Sequence, residues 1–284
     1  MRRILIGFLC ILALLSVSFA ESYGQTDEAL EQRAQTLRAK LPSDFTVVVQ
    51  KPFVVVGDEP AGTVKVRAER TIGWAVKRLK ARYFEKDPDR TIDVYLFKDK
   101  ASYEKHCKAF FDMKPHTPYG FYSATHNALI MNIATGGGTL VHEIVHPYVE
   151  ANFPDCPSWF NEGLGSLYEQ SGERNGKIIG KTNWRLAGLQ KAIRKDKVPS
   201  FKKLCSTTTH QFYKMDRGTN YAQARYLCYY LQEKGLLEKF YHAFVKNVDD
   251  DPTGYKTLVD ILGEEDMDAF QERWEKWVAK LTFP

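Results

Sequence analysis

The chain has 284 residues, of which 44% are hydrophobic and 26% are charged, and this length suffices for one large domain or two lobes that share a cleft. Its formal net charge is only +5, and removal of Arg2 and Arg3 with an N-terminal leader would lower that charge by two. A charge this small gives no indication of a nucleic-acid partner.

The first twenty residues have the pattern of a secretory signal peptide. Residues 1–3 are basic at two positions, residues 4–19 are almost wholly apolar, and Ser18-Phe19-Ala20 is a small-x-small cleavage site. We therefore expect cleavage after Ala20 and export of the protein to the periplasm or the extracellular space. The apolar stretch is short for a bilayer anchor and no later segment is long enough, so no stable membrane insertion is expected after cleavage.

The chain after the leader is predicted to begin with a mixed α/β lobe. Residues 21–41 form either a short helix or a loose leader. β-Branched and alternating runs predict strands at 45–50, 52–57, 92–97, 119–124 and 128–133. Helical patterns predict helices at about 62–84 and 101–111, and Lys51-Pro52 predicts a hairpin turn between the first two strands.

A glycine-rich run at 135–139 leads into a predicted helix that carries His142 and His146. Beyond it the strand signals nearly vanish, and helices are predicted at about 157–170, 183–195, 219–234, 236–247, 253–262 and 264–280. The predicted fold class is therefore α+β. A small mixed α/β N-terminal lobe with a β-sheet (about 42–150) joins an α-helical C-terminal lobe (about 151–284) at the histidine helix, within a single domain of residues 21–284.

Four cysteines lie beyond the leader: Cys107, Cys156, Cys205 and Cys228. Export would permit disulfides, and two bridges could form in three pairings, whereas four free cysteines fit the sequence equally well. The spacings match no zinc-ribbon pattern.

The segment from His142 to His146 reads His-Glu-Ile-Val-His, which is the pattern of half a catalytic zinc site. Positions i and i+4 of a helix share one face, about 5–6 Å apart at Cβ, so the two imidazoles can bind one Zn²⁺ ion. Glu143 lies one step round the helix, where it can act as general base on a metal-bound water. Pro147 predicts that the helix kinks or ends at His146.

Glu162 is the best candidate for a third zinc ligand. In a helix its same-face neighbours would all be small, so the helix could approach the histidine helix closely; these neighbours are Ser158, Gly165 and Ser166. Glu169 shares that face two turns later and is the second candidate.

Two sequence elements carry a resemblance to a known family: His142-Glu143-x-x-His146 and Trp159-Phe160-Asn161-Glu162-Gly163-Leu164. Over about 137–170 the chain resembles the gluzincin zinc metallopeptidases, the thermolysin-like and aminopeptidase-like superfamily. The resemblance implies a zincin-like catalytic domain with His142, His146 and Glu162 as zinc ligands and Glu143 as general base. It also implies a substrate cleft roofed by an edge strand, for which 128–133 is the natural candidate.

Related enzymes supply a Tyr or His from the C-terminal lobe to stabilise the oxyanion, and Tyr221 is our choice, with His210 as the alternative. Two departures from the family are the shorter ligand spacing and the missing Gly-x-Met-x-Asn element. No carboxylate occurs between Met113 and His142 to hold a substrate's α-amine, which favours an endopeptidase over an aminopeptidase.

The sequence thus predicts an exported zinc-dependent peptidase that acts on peptides or proteins. The alternative is a catalytically silent zinc-containing scaffold that binds peptide or cell-wall polymer. Glu143 argues against a scaffold, because a structural metal site needs no general base. Hydrolysis of a non-peptide amide is a third interpretation, but no glycan-binding module supports it.

Overall fold

The computed structural model describes residues 26–215 and 218–284. The expected signal peptide and its cleavage site lie outside these residues. The chain has the α+β fold that the sequence predicts. Residues 27–40 are helical rather than a loose leader, and this helix, α1 (Asp27–Lys40), begins at Thr26, whose side chain accepts a hydrogen bond from the backbone N–H of Ala29.

The N-terminal lobe contains a five-stranded mixed sheet in the order β1-β2-β3-β5-β4. Its strands are β1 (Thr46–Gln50), β2 (Phe53–Gly57), β3 (Ile92–Phe97), β4 (Gly120–Ser123) and β5 (Ala128–Asn132). The predicted hairpin joins β1 and β2, which pair antiparallel; β2, β3 and β5 are parallel, and β4 runs antiparallel to β5.

The strand at the edge of this sheet beside the histidine helix is β4, so the expectation that 128–133 is the edge strand was wrong. β5 lies between β3 and β4, and all five of its residues are buried. A continuous apolar run with both faces covered is typical of an interior strand. β4 is partly exposed at two of its four positions, as an edge strand can be.

Helices cover both faces of the sheet, and alternate strand residues contribute to two separate cores. One face packs Val55, Val94 and Leu129 toward the histidine helix, whereas the other packs Val54, Tyr95 and Ile130 with α1. The helices of this lobe after α1 are α2 (Ala61–Arg67), a π-helical turn (Ala68–Gly73), α3 (Trp74–Lys80), α4 (Lys100–Phe111) and the histidine helix α5 (Gly137–Asn152).

α5 continues through Pro147 to Asn152, so it does not end at His146 as one expectation had it. Proline leaves the carbonyl of Glu143 without its helical donor, a local cost that tertiary packing can override. The packing is extensive here, because Val145, Tyr148 and Val149 on either side of the proline are all buried.

The C-terminal lobe is mostly helical, and the six predicted helices occur within a few residues of their expected bounds. Its helices are α6 (Ser158–Leu167), α7 (Arg185–Ile193), α8 (Phe201–Cys205), α9 (Thr209–Lys214), α10 (Thr219–Glu233), α11 (Leu237–Asn247), α12 (Tyr255–Leu262) and α13 (Met267–Ala279). The hairpin of β6 (Ser171–Arg174) and β7 (Lys177–Gly180) was not predicted. Its turn is Asn175-Gly176, both with positive φ, the dipeptide that favours a two-residue hairpin turn.

All four cysteines beyond the leader are free, so the disulfide alternative does not apply to this structure. Within the described residues no helix is both long and apolar enough to cross a membrane.

Candidate metal centre

The three predicted ligands come together where α5 faces α6. The rings of His142 and His146 lie on one side of α5 with their centroids 4.9 Å apart. Glu162 reaches them from α6, and one ligand atom from each of the three residues lies within 4.8 Å of the others. His142 and Glu162 are each only 6% exposed, so these polar groups meet in a largely buried space.

Gly165 allows α6 to approach this closely. A Cβ atom on Gly165 would lie 3.0 Å from Cδ2 and 3.1 Å from Nε2 of His142, which is tighter than ordinary van der Waals contact. The prediction of a small residue on the inner face of α6 is thus confirmed at this position. The hydroxyl of Ser166 bonds instead to the carbonyl of Glu162, 2.5 Å away in its own helix.

Hydrogen bonds on the far side of each ring orient both histidines toward the common point. Nδ1 of His142 lies 3.1 Å from Oε1 of Glu169, and Nδ1 of His146 lies 2.9 Å from Oδ1 of Asn161. When Nδ1 carries the proton, Nε2 presents its lone pair to a metal. The donor set of two imidazoles and one carboxylate therefore fits Zn²⁺ in both chemistry and tautomer.

Glu169, the second candidate for the third ligand, takes a different position. It contacts His142 from behind and is itself held by Arg185, at 2.8 and 3.1 Å, and by the side-chain amide of Asn183, at 3.0 Å. Burial alone would raise the pKa of Glu169, but the hydrogen bonds from His142 and Arg185 lower it to about 2. Glu169 is therefore an ionised carboxylate that fixes the ring of His142.

The charges of the inner site are strongly coupled. Burial would lower the pKa of His142, but its contacts with Glu162 and Glu169 hold that pKa well above its ordinary value. Burial would raise the pKa of Glu162, but His146 and His142 lower it to about 2. A proton on His142 thus offsets one of the two negative charges beside it, and a metal cation bound by Nε2 would replace that proton.

Glu143 stands beside the three ligand groups rather than among them. Its Oε2 accepts a hydrogen bond of 2.9 Å from the backbone N–H of Tyr122, on the outer edge of β4, and lies 3.8 Å from Nε2 of His146. Burial raises the pKa of Glu143, although the two histidines oppose this shift. A buried carboxylate with a raised pKa beside three groups that could hold a metal has the properties that a general base needs.

The ligand groups lie at the floor of a cleft of about 1160 Å³. Residues 120–122 of β4 and Tyr119 before them form one wall. Trp184, Tyr213 and Tyr221 of the C-terminal lobe line the cleft as well. The edge of β4 faces this space, as its contact with Glu143 shows. An extended chain could pair with that edge by backbone hydrogen bonds.

Of the two candidates for the oxyanion-stabilising residue, the structure places Tyr221 at the cleft and His210 away from it. Tyr221 lines the cleft, and its ring packs 5.2 Å from the guanidinium carbon of Arg185 and 6.0 Å from the ring of Tyr213. Burial, with the charge of Glu162, raises the pKa of Tyr221, so its hydroxyl stays protonated. His210 is exposed on α9 and is not among the residues that line the cleft.

Sequence reasoning missed Tyr213. Its hydroxyl donates a 2.6 Å hydrogen bond to Oε1 of Glu162. Tyr213 lies on α9, a helix of six residues that is too short to give a periodic signal. The Thr208-x-x-Gln211 capping box at its start is the local pattern that could have revealed this helix.

The chain matches no protein-family model and no curated protein. What this arrangement can do chemically follows from its own residues: three ligand groups, a separate buried carboxylate and an aromatic-lined cleft.

Proposed function

We propose that the protein is an exported zinc-dependent metallopeptidase of the gluzincin type that hydrolyses peptide bonds as an endopeptidase. One observation carries the proposal. Two imidazoles with Nδ1 bonded elsewhere and the carboxylate of Glu162 converge within 4.8 Å, and a further carboxylate, Glu143, stands beside them without joining the set. The motif resemblance to gluzincins is in line with this geometry.

Each residue of the site has a role in this reaction. A zinc ion held by His142, His146 and Glu162 would supply a water molecule whose pKa is lowered toward about 7. Glu143 accepts a proton from the attacking water and later donates it to the leaving amine. The N–H of Tyr122 holds one oxygen of Glu143 and leaves the other free for the proton.

The remaining cleft residues bind substrate and stabilise charge. The edge of β4 receives the substrate chain in an extended conformation. Tyr221, protonated because its pKa is raised, donates a hydrogen bond to the oxyanion that develops on the scissile carbonyl. Glu169 and Asn161 hold the two imidazoles in the tautomer that binds metal.

The acidic residues that line the cleft favour an endopeptidase over an aminopeptidase. An aminopeptidase needs a free carboxylate for the substrate's α-amine, and the one further acid that lines the described cleft is Glu150. Its carboxylate is already bound by the hydroxyl of Tyr122, at 2.9 Å, and by Arg90, at 2.6 Å. Among the described residues, no carboxylate that lines the cleft is thus free to bind an amine.

A silent scaffold has less support. Structural zinc sites usually have four protein ligands, whereas three ligand groups converge among the described residues. A scaffold would also have no use for Glu143, which is costly to bury beside Glu162.

One experiment with two variants tests the proposal. The chain without its leader is assayed for cleavage of a peptide library, with zinc content measured in parallel and with chelator inhibition reversed by added zinc. Glu143→Gln is expected to lower kcat by about 10²- to 10⁴-fold with zinc retained, because the base is lost but the ligands remain. Glu162→Gln is the contrast, in which zinc occupancy itself falls.

Glu104→Gln, an exposed carboxylate on α4 at the far face of the sheet, is the control and should keep both cleavage and zinc. Undiminished cleavage by Glu143→Gln would rule out Glu143 as the general base. If the purified wild-type chain takes up no zinc, the proposal that the protein is a zinc metallopeptidase is ruled out.

A further inference from the structure

The two oxygens of Glu162 have different partners. Oε2 lies 3.1 Å from Nε2 of His142, whereas Oε1 accepts the 2.6 Å hydrogen bond from the hydroxyl of Tyr213 and lies 3.8 Å from Nε2 of His146. A hydroxyl that donates to a carboxylate oxygen reduces the charge that this oxygen can offer to a metal. Tyr213 therefore engages Oε1, whereas Oε2 faces Nε2 of His142, the nitrogen whose proton a metal cation would replace.

Glu162 lies on α6 and Tyr213 on α9, and a second contact between these two helices fixes this arrangement. The hydroxyl of Ser158 bonds to Oγ1 of Thr209 at 3.1 Å. Ser158 lies four residues before Glu162 on α6, and Thr209 lies four residues before Tyr213 on α9. Because four residues are about one helical turn, the two hydrogen bonds are successive links between helices that run side by side.

The ring of Tyr213 is also held in place. It packs against Phe212 and Tyr221, with ring centroids 5.4 and 6.0 Å away, while Tyr213 itself remains 38% exposed. The phenol thus reaches Glu162 from the cleft side, and loss of its hydroxyl would leave no buried cavity.

We propose that Tyr213 restricts Glu162 to bind the metal through Oε2 alone and so preserves a coordination position for water beside Glu143. The inference rests on the proposed zinc site. Without the phenol, Oε1 would be free to bind the metal as well, and a carboxylate that binds through both oxygens occupies the position that the water requires. Tyr213 is therefore a positioning residue that acts through Glu162.

The test is Tyr213→Phe in the chain without its leader, loaded with Co²⁺ in place of zinc. Four-coordinate Co²⁺ absorbs visible light much more strongly than five-coordinate Co²⁺, so the spectrum reports the coordination number. The variant should bind the metal but show a weakened, shifted spectrum. Its zinc form should lose about 10- to 100-fold in kcat with KM little changed.

Tyr221→Phe is the matched control. It removes the same hydroxyl from a neighbouring cleft tyrosine whose ring packs on Arg185, and its contacts in the described structure include no hydrogen bond to Glu162. This variant should lower kcat without any change in the cobalt spectrum. Thr209→Val, which removes the other link between α6 and α9, should change the spectrum in the same direction as Tyr213→Phe but by less.

The outcomes separate the inference from the proposed function. A wild-type chain that binds neither Co²⁺ nor Zn²⁺ would overturn the zinc site itself. A wild-type chain with a four-coordinate spectrum that Tyr213→Phe leaves unchanged would overturn only the role of Tyr213. Loss of metal from Tyr213→Phe would also overturn it, because the phenol would then govern affinity rather than coordination number.

Discussion

His106 and His142 are both nearly inaccessible to solvent, yet their surroundings act in opposite directions. His142 lies between two carboxylates, which raise its pKa. His106 packs against the rings of Phe45, Phe97 and Phe110, with centroids 4.9 to 5.4 Å away, and burial lowers its pKa. Its Nδ1 has no hydrogen-bond partner among the described residues. His106 is thus a packing residue whose Nδ1 atom is not satisfied within the described chain.

This difference predicts a pH dependence of stability. Because the pKa of His106 is lowered by folding, the unfolded chain binds more protons between the folded pKa and about 6.5, so stability falls as the pH drops through that window. His106→Gln should show a smaller loss of stability in urea unfolding between about pH 7 and about pH 5. The slope of the unfolding free energy against pH must be compared between the wild type and His106→Gln, because His142 is present in both and contributes to each slope with the opposite sign. Equal slopes would contradict the prediction.

The residues of the candidate site that could be predicted are those that lie close together in the sequence. His142, Glu143 and His146 fall within one and a half helical turns, and the small neighbours of Glu162 indicated a close helix approach. The partners that hold these groups come from distant segments with no local pattern of their own. Glu169 was a candidate ligand, because sequence spacing does not show whether its carboxylate contacts Nδ1 of His142 or the metal on the Nε2 side.

At the scale of elements, the helices and strands were predictable because their apolar periodicity is local. The order of the strands was not, since pairing partners are far apart in sequence and the interior position of β5 follows from its contacts with β3 and β4. The hairpin of β6 and β7 was missed because its strands have only four residues each, of which few are apolar.

The contact between α5 and α6 gives a prediction at this scale. Gly165→Ala places a methyl group about 3 Å from the ring of His142, so the two helices must separate slightly. We expect a loss of about 1–3 kcal/mol in stability and weaker zinc binding, measured by unfolding and by metal titration. Gly188→Ala is the matched control, since it is also helical but has no atom within 4 Å of the added methyl. It should gain about 0.5–1 kcal/mol and bind zinc normally. Normal zinc affinity in Gly165→Ala would contradict the close approach.

The whole molecule keeps its cleft and its N-terminal helix on separate sides. α1 buries Leu30, Ala34 and Leu37 against the face of the sheet that points away from α5. Arg33 on this helix binds the carboxylate of Asp93 on β3 through two hydrogen bonds of 3.1 and 2.5 Å, and the side chain of Asp93 is only 3% exposed. No residue of α1 is among those that line the cleft of the described chain. α1 is thus an integral part of the fold and does not obstruct the cleft.

Removal of residues 26–41 should therefore destabilise the protein rather than activate it. The deletion exposes one of the two cores to solvent and removes the guanidinium that pairs with Asp93, and both changes lower the free energy of unfolding. Arg33→Ala should reproduce part of this loss in thermal unfolding. Arg38→Ala on the same helix, where the ion pair with Glu31 is 3.8 Å long and exposed, should cost less than about 1 kcal/mol. An unchanged melting temperature with increased peptide cleavage after the deletion would instead identify α1 as a detachable inhibitory leader.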